Sequence, residues 1–292
     1  MKGIILAGGS GTRLYPMTAV SSKQLLPIYD KPMVYYPISS ILRAGVSEIL
    51  IISSPKDLPS YSELLGDGSN LGVELCYLEQ ERPAGLAQAL TIGEEFLDSE
   101  ECVLILGDNL FHGISFGDQI KAAAQCVCRD GGAHLFGKLV NDPERFGVAT
   151  VDEDGRILEI VEKPRKPQSR IAVTGLYMFD SEAPMRARAL QPSNRGELEI
   201  TDLNMTYVND GAAGISVFDD SVVWLDTGTP KSLLSASEFV SGIQESGDEM
   251  VGCIEEVAFE EGLITKKEIE RAASGIPEGN KYGAYLKKLV GE

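Results

Sequence analysis

The residues best suited to chemistry lie near the start of the chain. An apolar run at residues 3–7 leads into a glycine-rich loop, and a segment that begins with Lys23 follows. The loop reads Gly8, Gly9, Ser10, Gly11, Thr12, Arg13 and Leu14. Three glycines within four positions let backbone N–H groups turn toward an anion, and the guanidinium of Arg13 adds a permanent positive charge. The pattern predicts a phosphate-binding loop at the end of a buried strand.

Two better-known glycine loops do not fit this sequence. A Walker A loop counted from Gly8 requires a second glycine at the position that Arg13 occupies. A dinucleotide-binding fingerprint counted from Gly9 requires its third glycine at the position of Leu14. The sequence therefore argues against both a P-loop nucleotidase and a NAD-dependent dehydrogenase.

Two aspartates each follow an apolar run that predicts a strand. Asp108 follows residues 103–106, and Asp226 follows residues 222–225. Because the strand ends of a shared sheet open onto one crevice, we expect the two carboxylates to lie side by side. Such a pair repels unless a cation lies between its members, which predicts a metal site. The alternative is that both aspartates cap helices, as Asp commonly does.

The elements that position these residues alternate along the chain. Apolar runs that predict strands lie at residues 4–7, 49–53, 74–78 and 103–106, with helical patterns between them. This order predicts an α/β fold with a mixed, mostly parallel open sheet. The first helix is predicted at residues 32–44, with Pro32 in its first turn and Gly45 at its end.

The pattern changes after Asp108. A helix is predicted at residues 116–129, and strands are predicted at residues 133–140, 147–151 and 156–162. A helix that begins at Thr229 and Pro230 should extend to residue 243, with Thr227 or Thr229 as its cap. Amphipathic pieces end the chain, at residues 254–261, 265–273 and 283–290. We therefore expect a core at residues 1–243 and a small C-terminal helical segment at residues 244–292 that packs on it.

The composition excludes several classes of function. The net charge of −18 argues against a nucleic-acid partner, which needs a basic face. No run of 18 apolar residues is present, which argues against a membrane span, and no signal peptide is recognisable, so we expect a cytoplasmic protein. The five cysteines are scattered, and we expect reduced thiols and no zinc site.

The loop and the Lys23-Gln24-Leu25-Leu26-Pro27 segment resemble the signature of the sugar-1-phosphate nucleotidylyltransferases. The resemblance continues through motifs at residues 106–109, 162–164, 173–177, 195–202 and 224–229, and so covers nearly the whole chain. It implies a Rossmann-like nucleotidyltransferase fold. It also implies transfer of a thymidylyl group from dTTP to α-D-glucose 1-phosphate, Mg²⁺ as the cofactor, and a homotetramer.

The resemblance also implies roles for individual residues. The catalytic residues would be Arg13, Lys23, Asp108, Lys163 and Asp226, with Mg²⁺ held by Asp108 and Asp226. The nucleotide would contact Leu6, Gly8, Gly9, Gly11, Thr12, Arg13, Gln24, Gln80, Pro83, Gly85 and Asp108. The sugar phosphate would contact Asn109, Gly147, Glu162, Lys163, Val173 and Tyr177. One departure is Phe146, because family members often have a tyrosine there.

Some of these residues also have plain structural interpretations. Glu162 and Lys163 could form a surface ion pair before a turn, because adjacent opposite charges at a strand end are common. Glu197, Glu199 and Asp202 are interpreted first as acidic residues at a helix start. Two other functions also stay open, namely uridylyl or adenylyl transfer to a sugar 1-phosphate and a non-catalytic regulatory subunit that binds sugar nucleotides.

Overall fold

The computed structural model describes residues 1–9, 11–247 and 249–291. Ser10, which belongs to the predicted phosphate loop, lies outside the described residues, as do Asp248 and Glu292. The strands are β1 (Lys2–Leu6), β2 (Pro27–Ile28), β3 (Lys31–Pro32), β4 (Glu48–Ser53), β5 (Glu74–Glu79), β6 (Cys102–Leu106), β7 (Asn109–His112), β8 (Ala133–Leu139), β9 (Gly147–Val151), β10 (Ile157–Glu162), β11 (Ile171–Phe179), β12 (Ala213–Phe218) and β13 (Val223–Asp226). The helices are α1 (Tyr35–Arg43), α2 (Leu58–Leu65), α3 (Gln88–Ile92), α4 (Glu94–Leu97), α5 (Phe116–Asp130), α6 (Ala183–Ala189), α7 (Ile200–Asn209), α8 (Pro230–Ser246), α9 (Ile254–Glu260), α10 (Lys266–Ser274) and α11 (Lys281–Leu289).

Parallel strands form one half of the main sheet. β1 lies between β4 and β6, and β5 pairs with the far side of β4, all in parallel register. Ile5 on one face of β1 packs in the same cluster as residues of α1, and Ile4 on the other face packs with residues of α3. Because both faces are covered, β1 is buried along its whole length, which accounts for its nearly continuous apolar sequence.

Antiparallel pairing begins at β11. This strand pairs with β8 on one side and, on the other, with β9 at its start and β6 at its end; β12 adds to β8 in parallel. β9 and β10 form the predicted hairpin, in which Gly155 has a left-handed φ of 80°. The sheet is therefore mixed, and the predicted α/β fold class is confirmed.

A separate two-stranded sheet carries Asp226. β13 pairs antiparallel with β7, and Asp226 lies directly opposite Asn109, the residue after Asp108. The expectation that the strand before Asp226 belongs to the main sheet is therefore wrong. The two aspartates are instead brought together because β7 follows β6 after a short turn and pairs with β13.

The first predicted helix differs from the structure at its start. The first helix begins at Tyr35, because Lys31 and Pro32 form β3 and pair with β2. Gly45 follows its end with a φ of 77°, as expected. Thr229 caps α8 through a capping box with Ser232, which confirms one of the two predicted caps.

The C-terminal helices pack on the core beside α1. Ile254 and Val257 of α9 lie in the same apolar cluster as Ile38 and Ile41 of α1. α8 continues to Ser246, past the predicted boundary at residue 243, and the division into a core and a C-terminal segment stays a prediction.

A cluster of polar side chains lies near the packing of α9 against α1. Tyr282 of α11 donates a hydrogen bond to the carboxylate of Glu255, and the ammonium of Lys31 lies 5.7 Å from the centre of the Tyr282 ring. Lys31 also donates to Asp30 at 2.6 Å.

Two further expectations concern the whole described chain. No helix in its described ranges has both the length and the apolar character needed to cross a membrane. The cysteines are free thiols, as expected.

Candidate functional site

A cleft of about 280 Å³ lies where β6, β7, β11 and β13 meet. Its walls gather residues that are far apart in the sequence but were assigned to one site by resemblance: Arg13, Asp108, Asn109, Gly147, Glu162, Lys163, Val173, Tyr177 and Asp226. The cleft therefore combines cations, carboxylates and backbone amides in one place.

A second cavity of about 210 Å³ lies beside the glycine loop. Its walls include Gly9, Gln80 and Pro83, which were assigned to the nucleotide, and Lys23, which was assigned a catalytic role. Lys23 is buried, and its ammonium reaches across to the carboxylate of Asp108 in the first cleft. The two cavities are thus joined by an ion pair.

The described part of the glycine loop has the conformation that its sequence favours. Gly9 and Gly11 have left-handed φ values of 109° and 55°. A Cβ at Gly8 would overlap Oε1 of Gln80, so a larger residue there would displace the Gln80 side chain. Thr12 and Arg13 then begin a short 3₁₀ helix whose last residue, Leu14, is fully buried. The buried Leu14 anchors the segment that carries Arg13 to the cleft.

The other residues assigned to the nucleotide are already engaged within the protein. Leu6 is the buried last residue of β1. The side-chain oxygen Oε1 of Gln24 accepts a hydrogen bond from the Ser22 hydroxyl at 3.0 Å, and Nε2 of Gln80 donates to Oε1 of Gln88 at 2.7 Å. Gly85 has a φ of 105° and lies so close to the Leu198 backbone that a Cβ would overlap it. A base-edge contact by Gln80 would therefore use its oxygen or require Gln88 to move.

The Asp108 carboxylate is held at both of its oxygens. Oδ2 accepts from the Lys23 ammonium, and Oδ1 accepts from Nδ2 of Asn109 at 2.9 Å. The carbonyl oxygen of Asp108 accepts from both the backbone N–H and the hydroxyl of Thr227, at 3.1 and 2.8 Å. Asp108 is therefore held by its backbone next to Thr227, the residue that follows Asp226.

The Asp226 carboxylate faces an unfavourable environment. Burial raises its pKa, and the negative charge of Asp108 raises it further. Lys23, Arg13 and Arg145 oppose this shift. Nη2 of Arg145 lies 3.7 Å from Oδ2 of Asp226, and a Cβ on the adjacent Gly228 would lie 3.1 Å from both Nη2 of Arg13 and Oδ1 of Asp226. The two carboxylates interact, and cations surround them.

The sugar side of the cleft is centred on Glu162. Its Oε1 accepts from the Lys163 ammonium at 2.6 Å, and its Oε2 accepts from the Thr201 hydroxyl at 2.8 Å. Lys163 has a left-handed φ of 44°, an uncommon conformation for a residue with a side chain. Burial, and then the negative charges of Glu162 and Asp108, raise the pKa of Tyr177, so its hydroxyl stays protonated.

The structure also places residues in the cleft that the sequence did not assign to a site. These are Arg145, Phe146, Arg195, Glu199, Thr201, Asn204 and Trp224, among others. Glu199 lies at the start of α7, as expected, but its side chain makes no capping hydrogen bond. It accepts from Arg195 at 2.9 Å instead. The motif at residues 195–202 was the available signal, and it was interpreted as a helix start.

The donor set fits a magnesium ion. Mg²⁺ is usually bound by one or two carboxylates, with substrate phosphates and water completing its shell. Asp108 and Asp226 supply two carboxylates. Within the described chain, Asp108 is followed by β7, and the helix that follows Asp226 is capped by Thr229, so neither aspartate is a helix cap. Within the described ranges, no group of three or more His, Cys, Asp or Glu residues gathers as a closed metal cage. An open site that shares its metal with a bound phosphate is the arrangement these residues allow.

Comparisons with known proteins point in the same direction. The profile of the family described as "Nucleotidyl transferase" matches residues 2–242. A glucose-1-phosphate thymidylyltransferase of Neisseria gonorrhoeae is 50% identical over 292 residues, which is 100% of both chains. The enzyme of the same name from Mycobacterium tuberculosis strain H37Rv is 44% identical over 99% of both chains.

Solved structures share the fold. A Bacillus anthracis crystal structure in complex with sucrose superposes with a TM-score of 0.76 at 40% identity, over 83% of this chain and 96% of that one. A UDP-glucose pyrophosphorylase bound to UDP-glucose superposes with a TM-score of 0.73 at 24% identity, over 82% of this chain and 97% of that one. At that identity the second match concerns the fold alone.

Proposed function

The chain belongs to the nucleotidyl transferase family, and we propose that it transfers a thymidylyl group from dTTP to α-D-glucose 1-phosphate, forming dTDP-glucose and pyrophosphate. The observation that carries this proposal is the continuous site around Asp108. Its carboxylate accepts a hydrogen bond from Lys23, which lines the cavity beside the glycine loop. It shares its cleft with Glu162 and Lys163, which were assigned to the sugar phosphate. Both substrates would thus meet at one carboxylate pair.

The proposed reaction is a single in-line displacement. An oxygen of the sugar phosphate forms a bond to the α-phosphorus of dTTP, and the bond from that phosphorus to the bridging oxygen of the pyrophosphate breaks. Little bond-making falls to the protein in such a reaction, so catalysis depends on position and charge. Mg²⁺ bound by Asp108 and Asp226 would neutralise charge on the reacting phosphates.

The residues of the chain have separate proposed tasks. The glycine loop would direct its backbone N–H groups to the triphosphate, and Arg13 would stabilise charge that builds up on the departing pyrophosphate. Lys163 would orient the sugar phosphate, because its ammonium lies beside Glu162 in the cleft. Glu162, already fixed by Thr201, would accept hydrogen bonds from sugar hydroxyls.

The remaining assignments also belong to this proposal. We propose that the nucleotide contacts Leu6, Gly8, Gly9, Gly11, Thr12, Gln24, Gln80, Pro83 and Gly85, and that the sugar contacts Asn109, Gly147, Val173 and Tyr177. We further propose a cytoplasmic homotetramer with a core at residues 1–243 and a C-terminal segment at residues 244–292. Light scattering after size-exclusion chromatography tests the tetramer directly.

One assay tests the reaction. Purified protein with Mg²⁺ and glucose 1-phosphate is given dTTP, UTP, ATP or GTP in turn, and pyrophosphate release is measured. We expect the highest turnover with dTTP. The highest turnover with UTP or ATP would replace the proposal by uridylyl or adenylyl transfer. Absence of pyrophosphate with every nucleotide, together with binding of dTDP-glucose, would indicate a regulatory subunit.

A further inference from the structure

The side chain of Asn109 is fixed in one orientation by its neighbours. Its Oδ1 accepts hydrogen bonds from the backbone N–H of Gly175 at 3.1 Å and from Nε1–H of Trp224 at 2.6 Å. Both partners can only donate, so the amide oxygen must face them. The amide nitrogen consequently faces the other way, where it donates to Oδ1 of Asp108 at 2.9 Å.

The space around this amide leaves no alternative position. Asn109 is only 3% exposed, and a Cβ added to Gly175 would lie 2.7 Å from three atoms of its side chain. The backbone of Asn109 is held as well, because β7 pairs it with Asp226. Loss of either donor to Oδ1 of Asn109 should therefore change the position of its amide nitrogen, which donates to Asp108.

Trp224 connects this amide to the sugar side of the cleft. Its ring packs on that of Phe146, with the ring centres 4.9 Å apart. The guanidinium of Arg145 lies 5.1 Å from the centre of the Phe146 ring and 3.7 Å from the Asp226 carboxylate. Arg145 and Phe146, which precede Gly147, are thus linked to both aspartates. Arg145 contacts Asp226 directly, and Phe146 is linked to Asp108 through Trp224 and Asn109.

We propose that Trp224 is a positioning residue for Asp108. Its indole N–H fixes Asn109, and Asn109 fixes the carboxylate in the orientation in which it accepts a divalent cation with the nucleotide phosphates. This inference rests on the proposed function, because that function makes Asp108 a metal ligand. Groups that orient a metal ligand without touching the metal typically change metal affinity by ~10–100-fold when they are removed.

The primary test measures metal binding without turnover. Mn²⁺ serves as the probe, and its binding to the enzyme is followed by electron paramagnetic resonance in the presence of dTTP and the absence of sugar phosphate. Trp224→Phe keeps an aromatic ring against Phe146 but removes the N–H donor. We expect Mn²⁺ to bind about tenfold more weakly to this variant. Wild-type affinity would overturn the proposal.

A matched variant separates the hydrogen bond from packing. Trp224→Leu removes the indole N–H, as Trp224→Phe does, and also removes the ring that packs on Phe146. We expect it to lower the melting temperature further than Trp224→Phe and to weaken Mn²⁺ binding by the same factor. A much larger loss of Mn²⁺ affinity in Trp224→Leu than in Trp224→Phe would mean that Trp224 acts mainly through its bulk.

A double-mutant cycle tests the path of the effect. Asn109→Ala removes the donor to Asp108 directly, and we expect it to weaken Mn²⁺ binding at least as much as Trp224→Phe does. If Trp224 acts through Asn109, Trp224→Phe should have no further effect in the Asn109→Ala background. Additive losses would overturn the proposed path. Asn109→Ala also serves as the test from the Asp108 side if Trp224→Phe does not fold.

Kinetics separate this inference from the proposed function. Failure of the wild-type protein to release pyrophosphate would refute the function, whereas the Mn²⁺ titration is independent of that result. With an active wild type, Trp224→Phe should raise the Mg²⁺ concentration needed for half-maximal turnover and leave the KM for glucose 1-phosphate nearly unchanged. A change confined to the KM for the sugar would show that Trp224 is only a sugar contact.

Discussion

A methyl group at position 175 tests how much misplacement the carboxylate site tolerates. In Gly175→Ala the new Cβ would lie 2.7 Å from three side-chain atoms of Asn109, whereas ordinary contacts begin at 3.4 Å. Asn109 or the β11 backbone must therefore move by the difference, about 0.7 Å. Because Asn109 donates to Asp108, a movement of this size reaches the carboxylate.

The structure suggests different magnitudes for stability and for activity. Overpacking of a filled site usually costs ~1–3 kcal/mol. In a chain of this size each ~1 kcal/mol lowers the melting temperature by only ~2–4 °C. A misplacement of ~1 Å at a reacting group can cost ~10²-fold in rate, so we expect turnover to fall by ~10- to 100-fold.

The assay compares two glycines of the same sheet. A Cβ at Gly137 of β8 would lie 2.8 Å from Cγ2 of Ile171, an equally tight contact that involves no residue of the cleft. Turnover is measured as pyrophosphate release, and stability is measured by calorimetry. Gly137→Ala should lose similar stability and keep its turnover. The reasoning is refuted if Gly175→Ala turns over like the wild type, or if both variants lose turnover equally.

Three further predictions concern other parts of the molecule. Arg13→Ala should lower turnover by ~10²–10³-fold and change the KM for dTTP much less, because its charge acts on the transition state; unchanged steady-state turnover would make Arg13 structural. Gln80→Ala should cost ~1–3 kcal/mol of discrimination between dTTP and GTP, because base-edge groups lose their partner; an unchanged ratio of kcat/KM values would remove Gln80 from the base site. Burial raises the pKa of Glu255 above its usual 4.5. The wild-type protein therefore loses stability as the pH rises from 4.5 to the raised pKa, because the folded state binds this proton more tightly than the unfolded chain does. Glu255→Gln should therefore melt at a higher temperature than the wild type at pH 7.5, by a margin that shrinks toward pH 4.5; a margin independent of pH would refute this explanation.

The sequence was most informative where one residue type is required by backbone geometry. The loop at Gly9 and Gly11 was predicted from glycine spacing, and both residues have the left-handed conformations that make glycine necessary. The parallel strands were predicted from short apolar runs, since burial on both faces leaves no room for polar residues. Local rules of this kind depend only on neighbouring positions.

The sequence was least informative where a contact depends on distant strands. The meeting of Asp108 and Asp226 was expected for the wrong reason, because β13 pairs with β7 and not with the main sheet. Trp224 was recognised only as part of a motif, and nothing in its neighbours reveals that its N–H reaches Asn109. The left-handed backbone of Lys163 could not be predicted, because this conformation is usually indicated by a glycine or an asparagine.

The charge distribution explains how a chain with a net charge of −18 can hold anionic substrates. Arg13, Arg145, Lys163 and Arg195 line the cleft, and Lys23 reaches into it. Each of these cations lies near a carboxylate, so the positive and negative charges of the cleft largely balance one another. Phosphates and a divalent cation that enter together add charges of both signs, and they can therefore replace these internal pairings without leaving a buried charge exposed to its like. Phosphates that entered without a cation would lie against the Asp226 carboxylate, whose pKa is already raised by burial and by the negative charge of Asp108. On the proposed function, we therefore expect the nucleotide to bind together with its metal.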